Sequence, residues 1–314
     1  MSSITGRKPI RDGKMCSPDT IVVQDIETPV EEKKKQLPGS SVWETFFSWG
    51  VYYLHINPVM KIIYYIITLL IFSLMKESMD IPHFEILTGK QSVLNKMFVK
   101  KGWGITCVVF VLYQLVSLTL HTKWKASLKK LLVRAVATTF FFFIWCAVIF
   151  QLIENYTQAC TYRNIRFELT KKECHNKADH VYHSFDISGH SYLLTYCVLI
   201  MMEESKEIVY FLCLRRYLRG AHEDTVEEVS LPVLEAKEAK RMTLRLTILS
   251  PIVVIVFMCV VLLCLLWDFM LIVTTIYYHT FLEKVIGTTL AVSMWYMLYR
   301  RSFLCIFRYN IFNS

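Results

Sequence analysis

The chain has 314 residues, of which 54% are apolar, 14% aromatic and 19% charged. Soluble domains carry about a quarter of their residues as charges, and the apolar excess here falls in long blocks, the pattern of a multi-span membrane protein. The ten glycines form neither G-x-G-x-x-G nor G-x-x-x-x-G-K-[ST], which excludes a nucleotide-cradling loop, and the net charge of +9 lies in loops and tails, so no nucleic-acid partner is expected.

Residues 1–42 are polar, with Ser17-Pro18, Thr28-Pro29 and the run EEKKK at 31–35. They read as a disordered cytosolic tail without the apolar segment of a cleavable signal peptide. Trp43, Phe46, Phe47 and Leu54 along one face suggest a short interfacial helix, or ordinary aromatic anchoring, ahead of a six-span membrane domain over 43–314.

A helix needs about 20 residues to cross a bilayer core. Spans are expected at about 56–75, 103–120, 131–153, 190–214, 251–278 and 284–299. Lys61, near the start of the first, could snorkel to the interface. The fourth is interrupted by Glu203, Glu204, Lys206 and Glu207, which permits either one long helix or a bend. From Ser250 to Tyr299 the chain is almost wholly apolar, long enough for two crossings, so a hairpin is required with its turn around Tyr278–Gly287. Ser250-Pro251 reads as N-cap and first helical residue of the fifth span. Six crossings place both termini on one side.

With the termini in the cytosol, cytosolic segments hold 22 Lys and Arg and lumenal loops 11, which favours that orientation. The sequon Asn155-Tyr156-Thr157 then falls on the lumenal side as a glycosylation candidate. Cys160 and Cys174 share the same lumenal loop, where a disulfide is reasonable in an oxidising compartment.

The polar residues at the lumenal edge carry the functional signal. Phe185-Asp186-Ile187-Ser188-Gly189-His190 leads into the fourth span, and Tyr278-His279-Thr280-Phe281-Leu282-Glu283 forms the tip of the last hairpin. The topology brings His190 and His279 to one face. Placed within about 8 Å of each other, they could bracket one phosphorus, one attacking and the other protonating the departing oxygen. Glu283, four residues after His279, would share its helix face and hold its tautomer. Gly189 leaves room for backbone amides to approach phosphate oxygens. Singly, each histidine also reads as an interfacial anchor. His180-x-x-His183 has helical metal-pair spacing but no matching second pair, so no metal is expected. Asp268, well inside the bilayer, is either a bundle-fixing hydrogen-bond partner or part of the site. Glu203, Glu204 and Glu207 read mainly as structural.

FDISGHSYLLTY (185–196), LLWDF (265–269), YYH (277–279) and KVIGTTLAVSMWY (284–296) together closely resemble the fat storage-inducing transmembrane family. The resemblance covers roughly residues 45–300. It implies a multi-pass endoplasmic-reticulum membrane protein that promotes lipid-droplet formation, with a lumen-facing site. The family is in turn similar to the lipid phosphate phosphatases, whose helical bundle is the implied fold: an all-α, polytopic architecture. Ser188-Gly189-His190 matches the end of their second motif, and His279 with Glu283 matches H-x-x-x-D with Glu for Asp. Their Lys-x6-Arg-Pro motif is absent, and Ile272 and Val273 stand where Ser-Arg would precede the last histidine.

What the resemblance implies is cleavage of the pyrophosphate of long-chain acyl-CoA, giving acyl 4′-phosphopantetheine and adenosine 3′,5′-bisphosphate, with no cofactor. By position, His279 would be the nucleophile and His190 the general acid, with Ser188, Gly189 and Lys284 binding substrate. Arg163, Arg166, Lys171 and Lys172 are further candidate phosphate partners. The alternative is a non-catalytic scaffold that binds diacylglycerol or triacylglycerol, with Phe140–Phe143 and Trp145 lining the site. A transporter is a third class, but no inverted repeat is evident.

Overall fold

A computed structural model describes residues 42–78, 101–119, 124–163, 165–167, 171–177, 179–209, 211–212, 215 and 236–300. The tail expected over 1–42 lies outside them, except for its last residue.

Helix α1 (Val42–His55) and α2 (Pro58–Ser78) are separated by a break at Ile56-Asn57. Proline at the first position of α2 needs no helical donor, and the Asn57 side chain accepts the Val59 N–H at 2.9 Å. Helix α1 packs against the bundle through Phe47, Gly50, Tyr53 and Leu54, whereas Trp43 is 76% exposed and off the packed face.

Lys61 does not snorkel. It is 5% exposed and paired with Asp268, which also accepts from the hydroxyls of Tyr53 and Tyr65, the latter at 2.8 Å. A buried charge survives only when paired and hydrogen-bonded, and four residues from α1, α2 and the long helix at 236–277 meet that demand together. Asp268 is thus a bundle-fixing residue.

Helix α3 (Gly102–Leu118) is followed by α4 (Trp124–Phe143), which continues through a π-helical turn (Ile144–Ile149) into α5 (Phe150–Thr157). Next comes a small element that the all-α expectation did not include. Strands β1 (Ala159–Tyr162), β2 (Ile165–Phe167) and β3 (Val181–His183) form an antiparallel sheet in the order β2-β1-β3. Short helix α6 (Lys171–His175) is tied to β1 by the Cys160–Cys174 disulfide. His180 stacks on Tyr162 at 4.8 Å, and the chain from His180 to His183 is extended, so the helical spacing of this pair is not realised.

Helix α7 (Gly189–Glu204) is the centre of the bundle: every residue from Ser191 to Met202 is buried. A helix apolar on all sides belongs inside. It stops at a turn over Ser205-Lys206 rather than running to 214. The acidic residues fix that end. Glu204 accepts from Gln114 at 2.7 Å and Tyr299 at 2.8 Å and lies 3.4 Å from Arg134, while Glu203 pairs with Lys206 and Arg300.

Helix α8 (Ala236–Tyr277) is continuous for 42 residues, so Pro251 lies inside it rather than starting it. Its missing donor leaves one carbonyl of the preceding turn unbonded, which intramembrane helices tolerate when local contacts compensate. Helix α9 (Phe281–Tyr299) follows after a turn of three residues, earlier than the expected start at 284.

Among the described residues, three helical stretches are long and apolar enough to cross a membrane: Pro58–Ser78, Leu131–Thr157 and Thr243–Tyr277; α3 is a shorter apolar helix. The molecule is an all-α polytopic membrane protein that also carries a small three-stranded sheet.

Candidate active site

The site forms where three segments converge: the loop 185–188 with the start of α7, the α8–α9 turn, and the end of α2. Each segment has a local reason for its shape. Ser188 caps α7, its hydroxyl accepting the Ser191 N–H at 3.2 Å. That arrangement leaves the first-turn amides of Gly189 and His190 at the helix mouth. The α8–α9 turn is closed by a capping box in which Thr280 and Glu283 exchange hydrogen bonds, the Thr280 N–H reaching Glu283 Oε2 at 2.8 Å.

The turn requires an unusual backbone at its centre. His279 has φ of 54°, the left-handed region that follows many helix C-termini and is usually glycine. Histidine is tolerated there better than most side chains, though at a cost.

The rings of His190 and His279 lie 5.9 Å apart between centroids. Tyr278 stacks on His190 at 5.7 Å, its plane tilted by only 5°. His190 therefore lies against two side chains of the α8–α9 turn.

Glu283 reaches His279 by a route different from a shared helix face. His279 precedes α9 and is not helical, yet the capping turn brings its Nδ1 to 3.6 Å from Glu283 Oε2. The same residue also holds the other histidine segment. Its carboxylate accepts the Asp186 N–H at 3.3 Å, and its carbonyl accepts the Ser188 N–H at 3.2 Å. Burial works against the Glu283 charge, but donors from Thr280 and Asp186 and the neighbouring His279 outweigh it. Its carboxyl is consequently held below the ordinary carboxylate range.

Lys284 is placed elsewhere than at an open lumenal surface. It is 1% exposed, and its ammonium donates to the Thr275 carbonyl at 2.7 Å, in the last turn of α8. There it satisfies the negative end of that helix. Ser188 is fully buried, whereas nothing lies within 4 Å of the position a Cβ would take on Gly189. Asn155 is exposed near the end of α5, and the hydroxyl of Thr157 in the same sequon accepts the Phe185 N–H at 3.0 Å. Arg163 lies over the Tyr162 ring and Arg166 donates to the Gln158 carbonyl, so both are turned towards the sheet.

Three contributors escaped the sequence reading. Tyr278 and Gly287 carry no chemical signature of their own, and Lys76 reaches the site only through folding, its ammonium donating to the His279 carbonyl at 3.3 Å. The Thr280-x-x-Glu283 capping box was missed as well, although its pattern is a known helix-start signal.

The arrangement is that of an integral membrane protein with two histidines and a carboxylate gathered at one end of its bundle. A family model described as fat storage-inducing transmembrane protein matches residues 145–299, which include both histidines. A Drosophila melanogaster relative named acyl-coenzyme A diphosphatase FITM2 is 31% identical over 78% of this chain and 58% of its own length. Proteins of the same name from Sus scrofa and Homo sapiens are 31% and 30% identical, each over 72% of this chain and 76% of theirs. The chain thus spans just under three fifths of the fly protein and about three quarters of the mammalian ones. No solved structure matches. The chain belongs to the fat storage-inducing transmembrane family.

Proposed function

We propose that the protein is an acyl-CoA diphosphatase that cleaves the pyrophosphate of long-chain acyl-CoA to acyl 4′-phosphopantetheine and adenosine 3′,5′-bisphosphate. The observation that carries this is the pair of histidine rings 5.9 Å apart beside a carboxylate held in its charged form. With Nδ1–H of His279 turned to Glu283, Nε2 is left as the free lone pair. Nε2 attacks one phosphorus, and the bridging oxygen leaves with the other phosphate, taking a proton from His190. Water, giving its proton to His190, then displaces the phosphoryl group from His279. An anionic substrate favours the protonated form of His190 that the first step needs. The open amides of Gly189 and His190, at the positive end of α7, are suited to phosphate oxygens.

We read α7 and α9 as the crossings that complete six, with both termini cytosolic and the site at the endoplasmic-reticulum lumen. The disulfide at the same end as the histidines supports the lumenal placement, since such bonds persist in oxidising compartments. The curated names of the relatives support the reaction, and the family's name supports a role in fat storage.

The test is hydrolysis of oleoyl-CoA by purified protein. Replacing His190 or His279 by Ala should lower turnover by about 10²–10⁴-fold. Unchanged hydrolysis in the double variant defeats the reading.

A second reading has one observation in its favour. A groove of about 120 Å³ between α3, α4 and α7, lined by Trp103, Phe110, Thr138 and Ile200 among others, could take part of one acyl chain of diacylglycerol or triacylglycerol. Full restoration of droplet number in deficient cells by the double His-to-Ala variant would favour this scaffold over the enzyme.

A further inference from the structure

We infer that Lys76, at the end of α2, is the phosphate-binding cation of this site. The inference rests on the pyrophosphatase reading and identifies the group that neutralises the substrate. A pyrophosphate needs cations, and the residues where related motifs would supply them are Ile272 and Val273. Three of the charged candidates on other segments are engaged. Lys284 is buried and caps the carbonyl end of α8. Arg163 lies over Tyr162, and Arg166 is bound to the Gln158 carbonyl.

Lys76 differs from the buried Lys284 in exposure, and from all three in lying at the histidine turn. It is exposed in the last turn of α2, and its ammonium sits 3.3 Å from the carbonyl of His279, the residue bearing the proposed nucleophile. A long bond to a neutral carbonyl is readily exchanged for a shorter one to a phosphate oxygen, because charge-assisted hydrogen bonds are the stronger kind. The flexible four-carbon stem lets the ammonium follow the phosphate without moving α2.

Lys76 therefore plays two parts in sequence. With the site empty, it steadies the left-handed His279 turn through the carbonyl. With substrate present, it moves to the pyrophosphate and leaves the Glu283 capping box to hold the turn.

The experiment compares full-length wild type, Lys76→Gln and Lys76→Arg in detergent. Readouts are KM and kcat for oleoyl-CoA, competitive inhibition by inorganic pyrophosphate, and the rise in melting temperature caused by pyrophosphate. Lys76→Gln should raise KM and the inhibition constant about tenfold, in line with one lost charged hydrogen bond. Its kcat should change less, and Lys76→Arg should recover most of the affinity. Unchanged KM and unchanged inhibition overturn the inference. So does a fall in kcat and melting temperature at constant KM, which would make Lys76 only a support for the turn. If wild type does not hydrolyse acyl-CoA, the enzymatic reading fails by itself. The pyrophosphate-induced melting shift still decides Lys76: its loss in Lys76→Gln upholds the cation site, and its persistence removes it.

Discussion

The carbonyl oxygen of Ser188 lies 2.6 Å from where a Cβ would sit on Gly287, and the Tyr192 amide nitrogen lies 3.4 Å from the same point. The two helices that carry the site, α7 and α9, are thus in backbone contact just below the histidines, and only glycine permits it. Gly287→Ala should push the helices apart and cost about 1–3 kcal/mol, as overpacking does. Melting temperature and hydrolysis should fall together. Gly189→Ala is the control for space without contact, since nothing lies within 4 Å of its Cβ position. It should melt like wild type yet hydrolyse more slowly, because its methyl group occupies the room proposed for phosphate. A Gly287→Ala protein as stable as wild type would contradict the close packing.

The left-handed backbone of His279 predicts that function and stability part company there. His279→Gly removes the Cβ clash, so its melting temperature should be no lower than that of wild type while hydrolysis is lost. His279→Val should lose both, the backbone conformation alone costing a β-branched residue about 1–2 kcal/mol. Thermal melts of the two variants against wild type settle the point, and equal destabilisation by Gly and Val would refute it.

Glu283 sets a pH dependence of stability. Its folded-state pKa lies below the unfolded value of about 4.3. The ionised carboxylate therefore stabilises the fold above that value, and its contribution disappears as pH falls through the folded pKa. Glu283→Gln keeps an acceptor for the cap and removes only the charge. Wild type should melt higher than this variant at neutral pH, and the gap should close progressively below about pH 5. A gap independent of pH would show that the charge contributes nothing.

The Lys61–Asp268 pair predicts strong non-additivity. Removing one partner, as in Asp268→Asn or Lys61→Met, strands the other charge in the bundle and should cost about 3–5 kcal/mol. The double variant Lys61→Met/Asp268→Leu should recover most of that loss. Asp268 lies nine residues before the end of α8, about 14 Å along the helix from the turn that carries His279, so hydrolysis per folded molecule should be unaffected. Costs that simply add in a double-mutant cycle would remove the pair from the account.

Much of this molecule was legible in the chain itself. The length of the apolar blocks determined that it is a membrane protein, because the hydrocarbon core admits only helices or closed barrels with every backbone group satisfied. The count of intervening loops and the placement of Lys and Arg were enough to bring His190 and His279, some ninety residues apart, to one side. The hairpin in the last fifty residues was readable from apolar length alone.

Only the tertiary structure decided what each polar residue does on arrival. Periodicity assumes a regular helix, so it placed Glu283 beside His279 along a helix face, whereas a left-handed turn makes that contact. Charge counting treats every lysine alike. Folding buried Lys61 against Asp268, set Lys284 on the end of α8, and left Lys76 exposed at the carbonyl of His279. The physical reason is that a charge in a low-dielectric bundle is governed by the partners within a few ångströms, and those partners come from distant segments of the chain.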